Sequence, residues 1–250
     1  MKKLQQRVAV ITGGSRGLGR AIALELAKDG VRLALVGRDE RKLKETAAEA
    51  AQGGTEARFF LADVSQEAQV RSLEKQISSA FGRVDILVNN AGINVRKSLV
   101  DLTLDEWRSV IETNLTSAFL MCRSFAPLMR GRGYGRIINI SSTMSHVSLP
   151  GRAAYSASKS GLLGLTRALA LELVDDGITV VAISPGAFAT ELTAPLMNDP
   201  ELNAHFLSKV PLGRWGSPQD IGKLARFLCS EDANYITGTD ILIDGGWTAQ

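Results

Sequence analysis

Seven short runs of this chain are apolar at nearly every position, and they restrict the fold more than any other feature. They are "RVAVIT" (7–12), "VRLALV" (31–36), "ARFFLA" (57–62), "VDILVN" (84–89), "GRIINIS" (135–141), "ITVVAIS" (178–184) and "DILID" (240–244). A strand with one wet face alternates apolar and polar residues, whereas a strand covered on both faces does not. Helix-periodic segments lie between the runs, near 17–29, 39–51, 66–81, 103–129, 153–175 and 217–230. Regular strand–helix alternation predicts an α/β fold: a doubly wound parallel sheet of about seven strands, with right-handed crossovers and helices on both faces. No linker, repeat or low-complexity tract divides residues 1–250, so one domain is expected.

One segment breaks the rhythm. Between "ISPG" (183–186) and a helix starting near Ser217 lie about 30 residues with Pro195, Pro200 and Pro211. So long an irregular connection in a compact domain is usually functional. It would leave the carboxyl end of a strand, where open α/β sheets bind ligands. A substrate lid at about 187–216, with short helices of its own, is expected.

Composition excludes several classes. The net charge is +3 and no block of five like charges occurs, so neither nucleic acid nor a membrane surface is an expected partner. Cys122 and Cys229 lie in apolar, helix-like contexts and read as core thiols of a reducing compartment. The two histidines, His146 and His205, are far apart, so no metal site is expected. The run "VAVI" after "MKKLQQR" is too short for a signal-peptide core, and no 18-residue apolar run exists. A soluble, cytoplasmic protein acting on a small molecule is expected.

"TGGSRGLG" (12–19) follows the first strand and opens the first helix. Glycines there permit a tight turn and close backbone approach to a pyrophosphate resting at a helix N-terminus. A free ribose 2′-hydroxyl is usually held by an acid at the end of the second strand. This chain has Gly37 and Arg38 there, and Arg16 within the glycine turn. Two guanidiniums suit a 2′-phosphate, which favours NADP(H), with NAD(H) as the alternative. Asp39 is expected to cap the following helix rather than face that phosphate.

In "AYSASKSG" (154–161), Tyr155 and Lys159 are four residues apart, on one face of a helix. With "TGGSRGLG", "DV" (63–64), "NNAG" (89–92), Asn114, "SS" (141–142), "YSASK" (155–159) and "PGAFAT" (185–190), the chain resembles the short-chain dehydrogenase/reductase family along its whole length. The resemblance implies a Rossmann-type domain and a homotetramer. It implies cofactor contacts at Gly13, Ser15, Arg16, Gly17, Leu18, Gly19, Arg38, Asp63, Val64, Asn90, Ala91, Gly92, Tyr155, Lys159, Pro185, Gly186, Phe188 and Thr190. Asp63 and Val64 would meet the adenine, Asn90 the adenosine ribose, and Phe188 with Thr190 the nicotinamide carboxamide. Asn114, Ser142, Tyr155 and Lys159 would form the catalytic group.

Reducing a ketone requires a hydride on carbon and a proton on the developing alkoxide. Tyr155 would be the acid in reduction and the base in oxidation. A phenol titrates near 10, so Lys159 and an oxidised nicotinamide are expected to lower it; ~3 units correspond to roughly 4 kcal/mol. Lys159 would also hold the nicotinamide ribose. Ser142 would donate to the substrate oxygen, and Asn114 would hold a water linking Lys159 to solvent.

The substrate reading has three branches. "AGINVRKS" (91–98), "STMSH" (142–146), "PLGRWGSPQDIG" (211–222) and "LIDGGW" (242–247) resemble the gluconate and deoxygluconate dehydrogenases. Arg96, His146 and Arg152 would then meet a sugar-acid carboxylate. The same runs are compatible with 3-oxoacyl-acyl-carrier-protein reductases, which would dock their carrier on Arg130, Arg132 and Arg136. The third branch is a non-catalytic NADP(H)-sensing protein. Trp107, Val110, Ile111, Leu115, Phe119, Leu120 and Phe125 cannot all face one sheet, which points to a subunit interface.

Overall fold

The computed structural model describes residues 4–191 and 193–250; Met1–Lys3 and Leu192 lie outside the described residues. The strands are β1 (Val8–Thr12), β2 (Arg32–Gly37), β3 (Ala57–Leu61), β4 (Ile86–Asn89), β5 (Gly135–Ile140), β6 (Ile178–Pro185) and β7 (Asp240–Ile243). They form one parallel sheet in the order β3-β2-β1-β4-β5-β6-β7. The helices are α1 (Gly17–Ala27), α2 (Glu40–Ala51), α3 (Glu67–Phe81), α4 (Leu104–Ile111), α5 (Ser117–Phe125), α6 (Ala153–Glu172), α7 (Ala194–Met197), α8 (Pro200–Leu207) and α9 (Pro218–Cys229).

The period of two explains why the strands are apolar throughout. Ala9, Ile11, Leu33 and Leu35 pack on one face with Ile22 and Leu26 of α1, Leu43 of α2 and Ile221 of α9. Their neighbours Val8, Val10, Ala34 and Val36 pack on the other face with Leu73 and Ile77 of α3 and Phe125 of α5. Successive side chains point to opposite faces, and both faces are covered. Cys122 and Cys229 are buried free thiols, pushed up to about 12 by that burial.

The predicted helix over 103–129 is not uniform. Thr103 caps α4 in a reciprocal capping box with Glu106. The chain then widens into one π-helical stretch, Glu112–Thr116, before α5 resumes the α-helix. Such insertions are rare and shift the side chains that follow. This one carries the buried Asn114. Val110, Leu120 and Phe125 of the predicted interface set are buried within the chain, while Phe119 is exposed.

The excursion over 187–216 holds α7 and α8. Phe206 stacks on Trp215 at 6.0 Å and meets Trp247 edge-on at 5.8 Å, which fastens the excursion to the C-terminal turn. Among the described residues no helix is long and apolar enough to cross a membrane. Nor is any described group of His, Cys, Asp or Glu placed to hold a metal ion.

The strand order reverses between β1 and β4, where a doubly wound sheet opens a crevice at its carboxyl edge. Thr12 ties the two strand ends together. Its Oγ1 accepts from Asn90 N at 2.9 Å and Ala91 N at 3.0 Å, and donates to Val88 O at 3.3 Å. Thr12→Val keeps the shape but strands two amide donors. A loss of about 2–3 kcal/mol in urea unfolding is expected, with Thr12→Ser near the parent.

Candidate active site

A cavity of about 1090 Å³ opens over the ends of β1 and β4. Every residue expected at the cofactor lines it except Gly19. Gly19 packs behind the turn, where a Cβ would collide with the Gly13 carbonyl oxygen. Gly13 and Gly17 adopt φ of +63° and +54°, a region that only glycine enters without strain. The first turn of α1 carries no acidic side chain of its own, which leaves its partial positive charge available to an anion. These features fit the pyrophosphate of a dinucleotide.

Asn90 lines the cavity, and its side chain also braces the glycine turn. Its Nδ2 donates to Thr12 O at 2.9 Å and Gly13 O at 3.2 Å, so it holds the glycine turn in shape. Asp39 caps α2, accepting from Lys42 N at 3.1 Å. Arg38 lies 3.5 Å from Asp63. Burial raises the Asp63 carboxyl, but hydrogen bonds from Ser65 and the Arg38 charge outweigh it and hold the pKa below the usual range. Arg16 lies 3.5 Å from Glu191.

At the other end of the cavity, two reciprocal hydrogen bonds join β5 to α6. Lys159 Nζ donates to Ile140 O at 2.7 Å, and Ser141 Oγ donates to Lys159 O at 2.9 Å. A second polar chain runs beneath them, from Asn89 Nδ2 to Asn139 Oδ1 at 2.8 Å and from Asn139 Nδ2 to Thr166 Oγ1 at 2.9 Å. This register sets Ser142, just past β5, within hydrogen-bonding reach of Tyr155. Asn114 Oδ1 accepts from Ile93 N at 2.8 Å, while Nδ2 donates to Ile93 O at 2.9 Å and Ser158 Oγ at 3.0 Å. It clamps the loop after β4 onto α6. Asn114 Oδ1 and Lys159 Nζ flank Gly92, at 3.3 Å and 3.6 Å from where a Cβ would stand.

In the cofactor-free chain burial dominates at Tyr155. Burial raises its pKa above the ordinary 10, against the Ser142 hydrogen bond and the Arg152 and Arg96 charges, which lower it. Lys159 lies one turn from the phenol on the same face of α6. Its Nζ sits 5.7 Å from the ring centroid, bound to the Ile140 carbonyl, and burial lowers its own pKa to about 8. Arg152 is buried, and burial first, then the Arg96 charge, lowers it to about 10. Gly151 backs onto the Lys97 backbone, which brings the Arg96 loop to the start of α6. His146 does not join this group: its Nε2 lies 2.5 Å from Asp240 Oδ2, and Asp240 also accepts from Ser184 Oγ.

A family model described as enoyl-(acyl carrier protein) reductase matches residues 13–248. A 3-oxoacyl-acyl-carrier-protein reductase of Haemophilus influenzae is 39% identical over 243 residues, covering 97% of this chain and 98% of that protein. A solved structure described as a gluconate dehydrogenase from Agrobacterium tumefaciens superposes with a TM-score of 0.96 at 39% identity, over 99% of this chain and 98% of that one. Another is described as an NAD(P)-dependent gluconate 5-dehydrogenase from Beutenbergia cavernae with NADP bound at low occupancy. It gives 0.94 at 40% identity, over 99% of each chain. The chain belongs to the short-chain dehydrogenase/reductase family.

As a short-chain dehydrogenase/reductase it is an oxidoreductase of the NAD(P)-dependent kind. Thr12 and Ser141 lie within the motifs read from the sequence, but their roles escaped sequence reasoning. Thr12 and Ser141 act through partners on distant elements, at separations no local pattern reveals. Asn94, on the loop after β4, has a buried Oδ1 without a donor among the described residues.

The buried Lys159 ammonium makes this dehydrogenase/reductase sensitive to pH. Below about pH 8 the folded protein holds an unfavourable charge. From about pH 8 to 10.5 the folded amine loses its proton before the unfolded one, and the cost fades. Lys159→Met is expected to stabilise the cofactor-free protein by about 1–3 kcal/mol at pH 7. In urea unfolding across pH, that advantage should vanish near pH 10.5.

Proposed function

We propose that this enzyme interconverts a ketone and a secondary alcohol with NADP(H), on a sugar acid such as a keto-gluconate. The observation that carries the substrate reading is the pair Arg96 and Arg152 beside Tyr155. Both act on the phenol, and neither has an acidic partner among the described residues. Two uncompensated guanidiniums, one of them buried, favour an anionic substrate whose carboxylate accepts from them. The descriptions given to the two similar structures accord with this reading.

The bound nicotinamide would supply or take the hydride. Tyr155, held protonated by its burial, would donate to the developing alkoxide in reduction. Ser142 would donate to the same oxygen, and its Oγ is fixed by accepting from Met144 N at 3.1 Å. Lys159 would hold the nicotinamide ribose, and Asn114 would keep the Ile93 backbone and Ser158 in register. Arg38 and Arg16 support the preference for a 2′-phosphate. The segment 187–216 would act as the lid, and a homotetramer would cover Phe119 and the exposed Leu99 and Val100.

The 3-oxoacyl-acyl-carrier-protein reading has the Haemophilus relative in its favour. Its docking set is weakened. Arg136 is buried and donates to the Gly135 carbonyl and to Asn234, and Arg130 pairs with Asp176 at 2.9 Å.

The test is turnover with NADPH on a keto-gluconate, a neutral ketone of similar size and an acetoacetyl thioester. The acid should give the highest kcat/KM. Arg96→Ala should cost the acid about 1.5–3 kcal/mol in kcat/KM, the worth of a charged hydrogen bond, and leave the neutral ketone nearly unchanged. Preference for the thioester, with the arginine variant indifferent, would reverse the order of the two readings.

A further inference from the structure

Glu191 stands at the start of the lid segment, one residue past Thr190. Its Oε2 accepts from Lys42 Nζ at 2.7 Å and from Arg16 Nη1 at 3.5 Å. Lys42 belongs to the first turn of α2. Its backbone is fixed by the Asp39 cap, and its side chain is only 24% exposed. One turn later Thr46 Oγ1 donates to Lys42 O at 3.0 Å and lies 3.4 Å from Ser15 O, which sets α2 beside the glycine turn. Three segments far apart in sequence therefore place two cations around one carboxylate. Arg16 and Glu191 line the cofactor cavity itself. The Lys42 hydrogen bond is the main cause that holds the Glu191 carboxyl below its usual range.

Glu191 thus faces the cations that would otherwise meet a phosphate. A phosphate monoester carries about −1.5 to −2 charges near pH 7 and offers three strong acceptor oxygens. It is the stronger partner for Arg16 and Lys42, and it repels a carboxylate held at the same place. A dinucleotide lacking that phosphate leaves the Glu191 pairs intact.

We propose that Lys42 is a phosphate-binding cation beside Arg16, and that Glu191 is a built-in counter-anion which the adenosine 2′-phosphate displaces as it enters. The inference rests on the NADP(H) reading of this cavity and adds two specificity-determining residues to it. Glu191 keeps the phosphate site from binding too tightly, and its release frees the first residues of the lid as NADP(H) arrives.

The experiment is equilibrium binding of NADP⁺ and NAD⁺ to the full-length protein, followed by intrinsic tryptophan fluorescence at low salt. The parent, Glu191→Gln and Lys42→Met are compared. Glu191→Gln is expected to tighten NADP⁺ about 3- to 10-fold, and Lys42→Met to weaken it about 5- to 20-fold, with NAD⁺ within about twofold in both. In the double variant the gain from Glu191→Gln should shrink, because one of the two released cations is gone.

The measured quantity is the NADP⁺/NAD⁺ affinity ratio, which must rise in one variant and fall in the other. A damaged fold, or a Lys42 contact to the pyrophosphate, would move both cofactors together. That result, or an unchanged ratio in either variant, overturns the proposal. The NADP(H) reading itself fails if the parent binds NAD⁺ as tightly as NADP⁺. The shifts of the ratio decide the role of Glu191 and Lys42 independently of that value.

Discussion

The site depends on the grip between the end of β5 and the middle of α6. Lys159 gives its ammonium to the Ile140 carbonyl, and its own carbonyl accepts from Ser141. A charged amine nearly sealed from water costs free energy unless strongly hydrogen-bonded. It is retained because the same contact fixes how far α6 stands from the sheet and which of its faces turns inward. Tyr155 lies one turn earlier on that face, and Ser142 one residue beyond the strand. Their meeting follows from the Lys159 clamp rather than from any strong attraction between them.

Electrostatics divides the cavity into two ends with different logic. At the Tyr155 end Lys159 and Arg152 are buried and Tyr155 is half-buried, and burial dominates: it raises the phenol, lowers Lys159 and lowers Arg152. The proposed anionic ketone substrate rests on this phenol and on guanidiniums that have no acidic partner among the described residues. At the far end the groups are wetter and nearly every cation has a carboxylate partner, as with Arg38 and Asp63, or Arg16, Lys42 and Glu191. Exposed pairs of this kind are individually weak and exchange easily. That suits the proposed entry and exit of a phosphate dianion.

Much of this was legible in the sequence because it is written locally. The all-apolar strands record burial on two faces, and the glycines of 13 and 17 record a turn that needs positive φ. The Asp39 cap was readable because capping acts over three residues. What escaped acts across the fold. The π-helical stretch around Asn114 leaves no mark in a helical periodicity. Lys42 and Glu191 are ordinary surface charges until α2 and the segment after β6 meet. His146 and Arg136 misled for the same reason: each sits near the expected site in sequence, and each is taken by a distant partner, Asp240 or Asn234.

The central claim is that Tyr155 passes its proton to the substrate oxygen as hydride arrives from the nicotinamide. The most direct measurement is single-turnover reduction of a keto-gluconate by Tyr155→Phe, with NADPH deuterated at the transferring position and with cofactor affinity measured alongside. Removing only the phenol proton should slow the chemical step by at least ~100-fold and leave cofactor binding nearly intact. The residual product should still carry deuterium at the carbinol carbon. Turnover close to that of the parent, or product without deuterium there, would contradict the account.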